Sequence, residues 1–110
     1  MPVAVDDLPP AIRVGPHDIR FAELGTADAK KNYGTFVLAE QEIQLQQEYV
    51  SGSMAAETVL HELMHAIFAV ATVHVKQGEE HIVSVVATYL AQIIRDNPEF
   101  VAWLQRTVVR

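Results

Sequence analysis

The stretch from about Met54 to about Val75 constrains the fold of this chain most, because apolar residues recur on nearly every side of it. A helix that is hydrophobic all round is normally buried at the centre of a domain. Its apolar residues are Val59, Leu60, Leu63, Met64, Ile67, Phe68, Val70 and Val73. With Ser53 in front of it as a candidate N-cap, we predict a central helix that the rest of the chain covers.

This predicted helix carries the pattern His-Glu-x-x-His, formed by His61, Glu62 and His65. Residues four apart lie one above the other on one helix face, so both imidazoles can converge on a single cation. Glu62 faces the neighbouring sector, where it can act on a water molecule without being a ligand. Because three such side chains are costly to bury without partners, we expect a bound metal ion, Zn²⁺, to provide them.

Catalytic zinc needs a third protein ligand besides two histidines. The chain has no cysteine, which leaves these candidates: Glu79, Glu80, His81, His74 and His17. A helix that runs straight from His65 to Val75 rises about 15 Å, too far for a direct reach back from Glu79 or Glu80. We therefore expect the helix to end sooner, near Ala69 to Thr72.

The segments before this helix predict a small antiparallel sheet of about three to four strands. Prolines make residues 1–10 an extended lead-in. Ala11 to Val14 and Ile19 to Leu24 alternate apolar and polar residues and are split by Gly15-Pro16, which predicts one bent strand or two short ones. Two further strands are predicted at Thr35 to Ala39 and Ile43 to Gln46. The last two form a hairpin, and Gly25 to Asn32 has no periodicity and is predicted to be an exposed loop.

Two further helices are predicted after the central one, which gives an α+β fold in a single domain, residues 1–110. Lys76-Gln77-Gly78 is a helix stop, and the next helix runs from Glu79 or Glu80 to Arg95. Its stripe of Val83, Val86 and Leu90 is expected in the core. Asn97 and Pro98 then begin a C-terminal helix that runs to about Val108 and buries Phe100 and Trp103.

Charge and composition narrow the classes of partner. A formal net charge of −6 argues against nucleic acid, which needs clustered Lys and Arg. The uncharged apolar run from His81 to Ile94 is too short to span a bilayer, and the first ten residues lack the features of a signal peptide. We expect a cytoplasmic protein without membrane contact, and the apolar surface is compatible with a dimer.

The combination of His61-Glu62-x-x-His65 with Glu80-x-x-Val83-Ser84-x-Val86-Ala87 resembles the small zinc metallopeptidases of the gluzincin type, including ImmA/IrrE-like and phage-encoded proteins. The resemblance covers roughly the middle third of the chain, and Val83, Ser84 and Val86 replace the more usual Ala, Asn and Phe. It implies a minimal zincin-like fold, with His61, His65 and Glu80 as zinc ligands and Glu62 as general base.

The sequence thus predicts a zinc-dependent peptidase acting on a peptide or protein substrate. Zinc would activate water, while Glu62 accepts its proton and returns it to the leaving amine. Tyr33, Tyr49 or His17 could assist at the oxyanion, and the substrate could add to a sheet edge at Thr35 to Ala39. The alternatives are a non-catalytic, zinc-stabilised interaction module and a helical protein without metal.

Overall fold

The computed structural model describes residues 1–25, 32–74 and 76–110, so most of the loop expected at Gly25 to Asn32 lies outside the described residues. The described parts form six strands: β1 (Val3–Ala4), β2 (Ala11–Val14), β3 (His17–Glu23), β4 (Gly34–Val37), β5 (Glu42–Leu45) and β6 (Glu48–Tyr49). Three helices follow: α1 (Gly52–Ala71), α2 (Glu79–Asp96) and α3 (Pro98–Thr107). The predicted α+β class and the order of its helices are confirmed.

Four of the strands form one sheet in the order β2-β3-β5-β4, with β2–β3 and β4–β5 as antiparallel hairpins. The central pair β3–β5 is parallel, with Arg20 opposite Glu42 and Glu23 opposite Leu45, so the sheet is mixed rather than wholly antiparallel. In β5, Ile43 is fully buried while Gln44 is only half-buried. This alternation confirms that one face of the sheet is covered.

The lead-in is extended as expected, and part of it also pairs with β6. Val3 lies opposite Tyr49 and Ala4 opposite Glu48, in an antiparallel pair of two residues each. The backbone N–H of Val5 continues this contact by donating to the carbonyl of Gln47 at 3.1 Å. The pairing is allowed because the prolines lie outside β1, whose own N–H groups remain available.

Asp7 connects this lead-in to the C-terminal end of the chain. Its carboxylate accepts a hydrogen bond from the indole N–H of Trp103 at 2.9 Å and one from the Arg110 guanidinium at 2.8 Å. Arg106 adds an ion pair at 3.6 Å. Burial alone would raise the pKa of Asp7, but the hydrogen bonds from Arg110 and Trp103 outweigh it and hold the pKa below its usual value.

Replacing Asp7 with asparagine is expected to make the free energy of unfolding depend less on pH in the acidic range. Because the pKa is lowered in the folded state, the ionised carboxylate stabilises the fold above its unfolded pKa of 3.8, and this contribution is lost as the pH falls through the folded pKa. Urea denaturation should therefore show wild type exceeding the variant at about pH 6, and the difference shrinking by about pH 3. A difference that does not change with pH would contradict this role.

Helix α1 begins at a serine N-cap, although Ser51 provides it rather than Ser53. The Ser51 hydroxyl accepts a hydrogen bond from the backbone N–H of Met54 at 3.1 Å. The helix ends at Ala71, where Thr72 adopts a left-handed conformation with φ of 57° and the N–H of Val73 bonds the carbonyl of Phe68. The early end near Ala69 to Thr72 is thus confirmed, and Gly78 caps α2 instead of ending α1.

The hydrophobic core lies between the sheet and one face of α1, with α3 closing the end. Its members are Val5, Ile12, Val14, Ile19, Ile43, Leu45, Tyr49, Ala55, Val59, Leu63, Ile67, Ile93, Phe100 and Trp103. Trp103 and Phe100 are buried, as predicted, and their rings stack on each other. In α2, however, Ile93 alone is buried among the described residues, and Val83 is 54% exposed. The prediction that Val83 belongs to the core is wrong because α2 packs mainly through its C-terminal half.

Helix α1 is also long and apolar enough, by length and composition alone, to cross a membrane. Core helices of soluble proteins meet the same two criteria. Eight residues of α1 are buried within this globule: Gly52, Ala55, Ala56, Val59, Glu62, Leu63, Ala66 and Ile67. Since these residues form one continuous face against the sheet, the apolar character of α1 has an explanation in the core.

Candidate metal centre and its cavity

His61 and His65 lie one turn apart on α1, and their rings point to the same spot. Their Nε2 atoms are 3.3 Å apart, and the two rings meet edge to face. Two nitrogens bound to one tetrahedral zinc at about 2.0–2.1 Å lie about 3.3–3.4 Å from each other. The two side chains therefore already have the separation that a shared cation requires.

Glu62 occupies a different environment from its two neighbours. Its side chain is 9% exposed, whereas that of His61 is 69% exposed, and one carboxylate oxygen lies 4.0 Å from the Nε2 of His61. Helix geometry explains the contrast, because residue 62 turns about 100° from residue 61 toward the sheet. The carboxylate is thus held at the base of the site and the imidazoles at its mouth.

The exposure of both histidines corrects one expectation from the sequence. Helix α1 is not covered on nearly every side: Leu60 is 40% exposed, and His61 and His65 face solvent. The four-stranded sheet, the β1–β6 pair and the two other helices of the described residues cover only one side of α1. The cost of burying polar groups therefore applies to Glu62 only, and the support for a metal at the two histidines comes from their convergence.

A cavity of about 330 Å³ opens beside the motif, between α1 and the start of β4. It is lined by Tyr33, Gly34, Glu57, Thr58, His61 and Glu62. Gly34 allows this close approach, because a Cβ there would lie 2.9 Å from the methyl carbon of Thr58. Glu57 and Thr58 were not predicted as site residues, although each lies one helical turn before a motif residue and so shares its face.

Among the three candidates for an oxyanion helper, the structure favours Tyr33. Tyr33 lines the cavity and is 61% exposed. The hydroxyl of Tyr49 is occupied, because it accepts from the N–H of Gln46 at 3.1 Å and donates to the carbonyl of Tyr33. His17 is engaged elsewhere, with its Nδ1 3.2 Å from the side-chain amide of Gln41.

The pKa of Tyr49 nevertheless depends in part on the charge of Glu62 at the base of the site. Burial raises the pKa of its phenol above the usual value, a hydrogen bond from the Gln46 backbone opposes this, and the negative charge of Glu62 raises it further. The phenol therefore stays protonated around neutral pH and keeps its bond to the carbonyl of Tyr33. That bond attaches the β6 end of the core to the chain segment that lines the cavity.

The structure does not bring a third ligand to the two histidines. Within residues 1–25, 32–74 and 76–110, no three His, Asp or Glu side chains are grouped closely enough to hold one metal ion. Glu79 and Glu80 lie exposed in the first turn of α2. With α1 ending at Ala71, the axial rise after His65 is about 9 Å instead of about 15 Å. The early end thus shortens the path from Glu80, whose role stays a prediction.

Comparisons with known proteins add no family to this description. A scan against protein-family models, a search of curated proteins and a search of solved structures each found no match to the chain. The geometry of His61, Glu62 and His65 and the cavity beside them therefore remain the observations that bear on function.

Proposed function

We propose that this protein is a zinc-dependent metallopeptidase with His61 and His65 as metal ligands and Glu62 as general base. The observation that carries the proposal is the 3.3 Å separation of the two Nε2 atoms above a buried carboxylate. The resemblance of Glu80 and the residues after it to a gluzincin second motif adds Glu80 as the proposed third ligand. A cytoplasmic location belongs to the same proposal.

The residues of this chain divide the chemistry between them. Bound zinc supplies a Lewis acid that activates water and polarises a peptide carbonyl. Glu62 would accept the proton of the attacking water and pass it to the leaving amine, which frees the new amino terminus. Tyr33, exposed at the rim of the cavity, would donate a hydrogen bond to the carbonyl oxygen as negative charge develops on it.

The substrate would be an extended peptide lying along β4. This strand is an outer strand of the sheet, paired only with β5 among the described residues, and it starts at the cavity with Gly34. An outer strand offers free backbone groups to a peptide that adds to the sheet. The edge expected at Thr35 to Ala39 overlaps this strand, which the structure places at Gly34–Val37.

Zinc binding is the first test of the proposal. The protein is expected to contain one zinc per chain by elemental analysis, and zinc at 100 times its Kd should stabilise the fold by about 2.7 kcal/mol. His61→Ala and His65→Ala should abolish both effects. His17→Ala is the matched control, because its imidazole contacts Gln41 instead, and it should keep them. Absence of zinc together with an unchanged melting temperature would refute the metal site.

Glu80→Ala is expected to weaken zinc binding, whereas Glu79→Ala is expected to leave it unchanged. Loss of a direct ligand should cost at least the roughly 10–100-fold that is typical for residues that only support a ligand. The two carboxylates are neighbours in the first turn of one helix, so their effects on the helix dipole are alike and cancel in the comparison. Competition against a zinc chelator measures the affinity, and the reverse ranking would assign the ligand to Glu79.

The same ligands could instead serve a zinc-stabilised interaction module without catalysis. Both imidazoles are exposed, so a partner protein could reach the metal and complete its coordination. This accessibility favours the alternative. The two functions differ in what they require of Glu62. A peptidase needs its carboxylate as a base, whereas an interaction module can bind zinc without it. The Glu62 variant described in the Discussion separates them.

A further inference from the structure

A second and larger cavity lies on another part of the surface. It measures about 520 Å³ and shares no lining residue with the cavity beside His61. Its walls are residues 4–6 and 8–10 of the lead-in on one side, and residues 21–23 and 45–48 on the other. We call it the lead-in cleft. Its volume falls within the range of about 300–1,000 Å³ that is usual for binding sites.

The lead-in cleft contains an unpaired stretch of sheet edge. Strand β2 pairs with β3 only as far as Arg20, and the N–H of Phe21 then donates to the carbonyl of Pro10 at 3.0 Å. Pro9 and Pro10 have no N–H, so the ladder cannot continue through them. Backbone polar groups alternate along a strand, so those of Ala22 face β5, as the N–H of Leu24 does. Those of Glu23 face the other side, as the N–H of Phe21 does, and no strand among the described residues pairs with them there.

The walls of the cleft are apolar at the base and acidic at the rim. Val5 and Leu45 are buried, and Leu8 and Phe21 pack against the core. The ionisable residues of the described lining are Asp6, Glu23 and Glu48, all exposed, and this lining includes no Lys, Arg or His. Glu23 also accepts a hydrogen bond from the side-chain amide of Gln47 on the facing wall, through one of its two carboxylate oxygens. An occupant that suits these walls combines apolar side chains with positive charge.

We propose that the lead-in cleft binds an extended segment of a partner protein in which apolar residues alternate with Lys or Arg. Such a segment would hydrogen-bond the free N–H and C=O of Glu23, extending the sheet beside β3 where β2 ends. Its apolar side chains would contact Phe21 and Leu8, while its cations approach Glu23 and Glu48. This inference goes beyond the peptidase proposal and does not depend on zinc.

The test uses a blocked, fluorescein-labelled peptide of lysine, valine, lysine, valine and lysine, titrated with the full chain and followed by fluorescence anisotropy. The peptide is expected to bind, with affinity falling as salt is raised from about 0.1 M to about 1 M. A peptide with glutamate in place of lysine should not bind. Backbone N-methylation of the valines should weaken binding, because it removes the donors that an added strand needs.

Variants of the cleft and of a remote site make the test specific. Glu23→Gln combined with Glu48→Gln should weaken binding about 2- to 25-fold, taking each exposed carboxylate as a typical surface ion pair. Glu40→Gln is the matched control, because Glu40 is equally exposed but lies at the opposite end of β5, and it should bind like wild type. A chelator should change nothing, since the cleft shares no residue with the proposed metal site.

Three outcomes would overturn the inference. Equal binding of the lysine and glutamate peptides would show that charge does not select the occupant. A loss in Glu40→Gln as large as that in either single variant, Glu23→Gln or Glu48→Gln, would reduce the effect to the protein's overall negative charge, because each of the three removes one charge. A dimer that sediments as such and is dissociated by the peptide would make a second copy of this chain the natural occupant instead.

Discussion

Replacing Glu62 with glutamine is expected to lower peptide hydrolysis by about 10²- to 10⁴-fold while zinc stays bound at one ion per chain. Glutamine keeps the shape of the side chain and its place in the wall of the cavity, but it cannot accept a proton from water. The ligand nitrogens of His61 and His65 are untouched, and their 3.3 Å separation does not depend on the carboxylate. Single-turnover cleavage of a casein-derived peptide mixture, read by mass spectrometry, measures the loss.

The control for Glu62 is a second glutamate that is remote from the cavity. Glu99 lies exposed in the first turn of α3, and Glu99→Gln should hydrolyse at the wild-type rate. If wild type binds zinc but shows no hydrolysis, the interaction module becomes the better explanation. If Glu62→Gln hydrolyses at the wild-type rate, another base acts, and the proposed role of this carboxylate is wrong.

The convergence of the two histidines could be predicted from sequence because it depends on local geometry alone. Positions four apart on a helix face the same way in any protein, and α1 forms a helix at that point. The cavity could not be predicted in the same way. Tyr33 and Gly34 reach His61 through the packing of β4 on α1, a contact between segments more than twenty residues apart that leaves no periodic signal.

The prediction that the helix carrying the site is covered on nearly every side was wrong. Apolar residues around the whole circumference of α1 predicted a covered helix, yet Leu60 and His61 are exposed. Hydrophobic character does not fix burial in a small domain, where there are too few elements to enclose one helix. The exposed side of α1 is the side that carries the histidines, which leaves them accessible to a metal ion and a substrate.

The mixed sheet shows a similar limit. The β4–β5 hairpin was predicted from alternation and a short connection, whereas Gly15-Pro16 left open one bent strand or two short ones. The structure has two strands there, β2 and β3, with Gly15 at φ of 57° in the turn between them. The parallel pairing of β3 with β5 joins the two hairpins and involves no turn of its own. Alternation fixes which face of each strand is buried but not which strand it lies beside.

The early end of α1 was predicted by a geometric condition rather than by a stop signal. Thr72 is a β-branched residue in a left-handed conformation, which no propensity rule would select as a C-cap. The requirement that Glu80 approach His65 led to the prediction of an end near Ala69 to Thr72, and α1 ends at Ala71. The end at Ala71 is the one that an approach of Glu80 to His65 requires. It does not test whether Glu80 binds the metal.

Gly52→Ala is expected to destabilise the fold by about 3 kcal/mol, a large share of the roughly 5–15 kcal/mol that holds a domain together. A Cβ at Gly52 would lie 1.9 Å from the carbonyl oxygen of Thr107 and 2.9 Å from that of Arg110. Both are backbone atoms, so no side-chain rotation relieves the clash. The N–H of Gly52 also donates to the Arg110 carbonyl at 3.1 Å, and that bond must lengthen if the C-terminus moves away.

Gly78→Ala is the matched control for this effect, because the same methyl group there would meet nothing within 4 Å. It replaces the glycine at the N-cap of α2 and should cost about 0.5 kcal/mol at most. Urea denaturation of both variants measures the contrast. If Gly52→Ala were as stable as Gly78→Ala, the C-terminal residues would not pack on the start of α1. The expected contrast would instead mean that the last turn of α3 helps to fix the helix that presents His61 and His65.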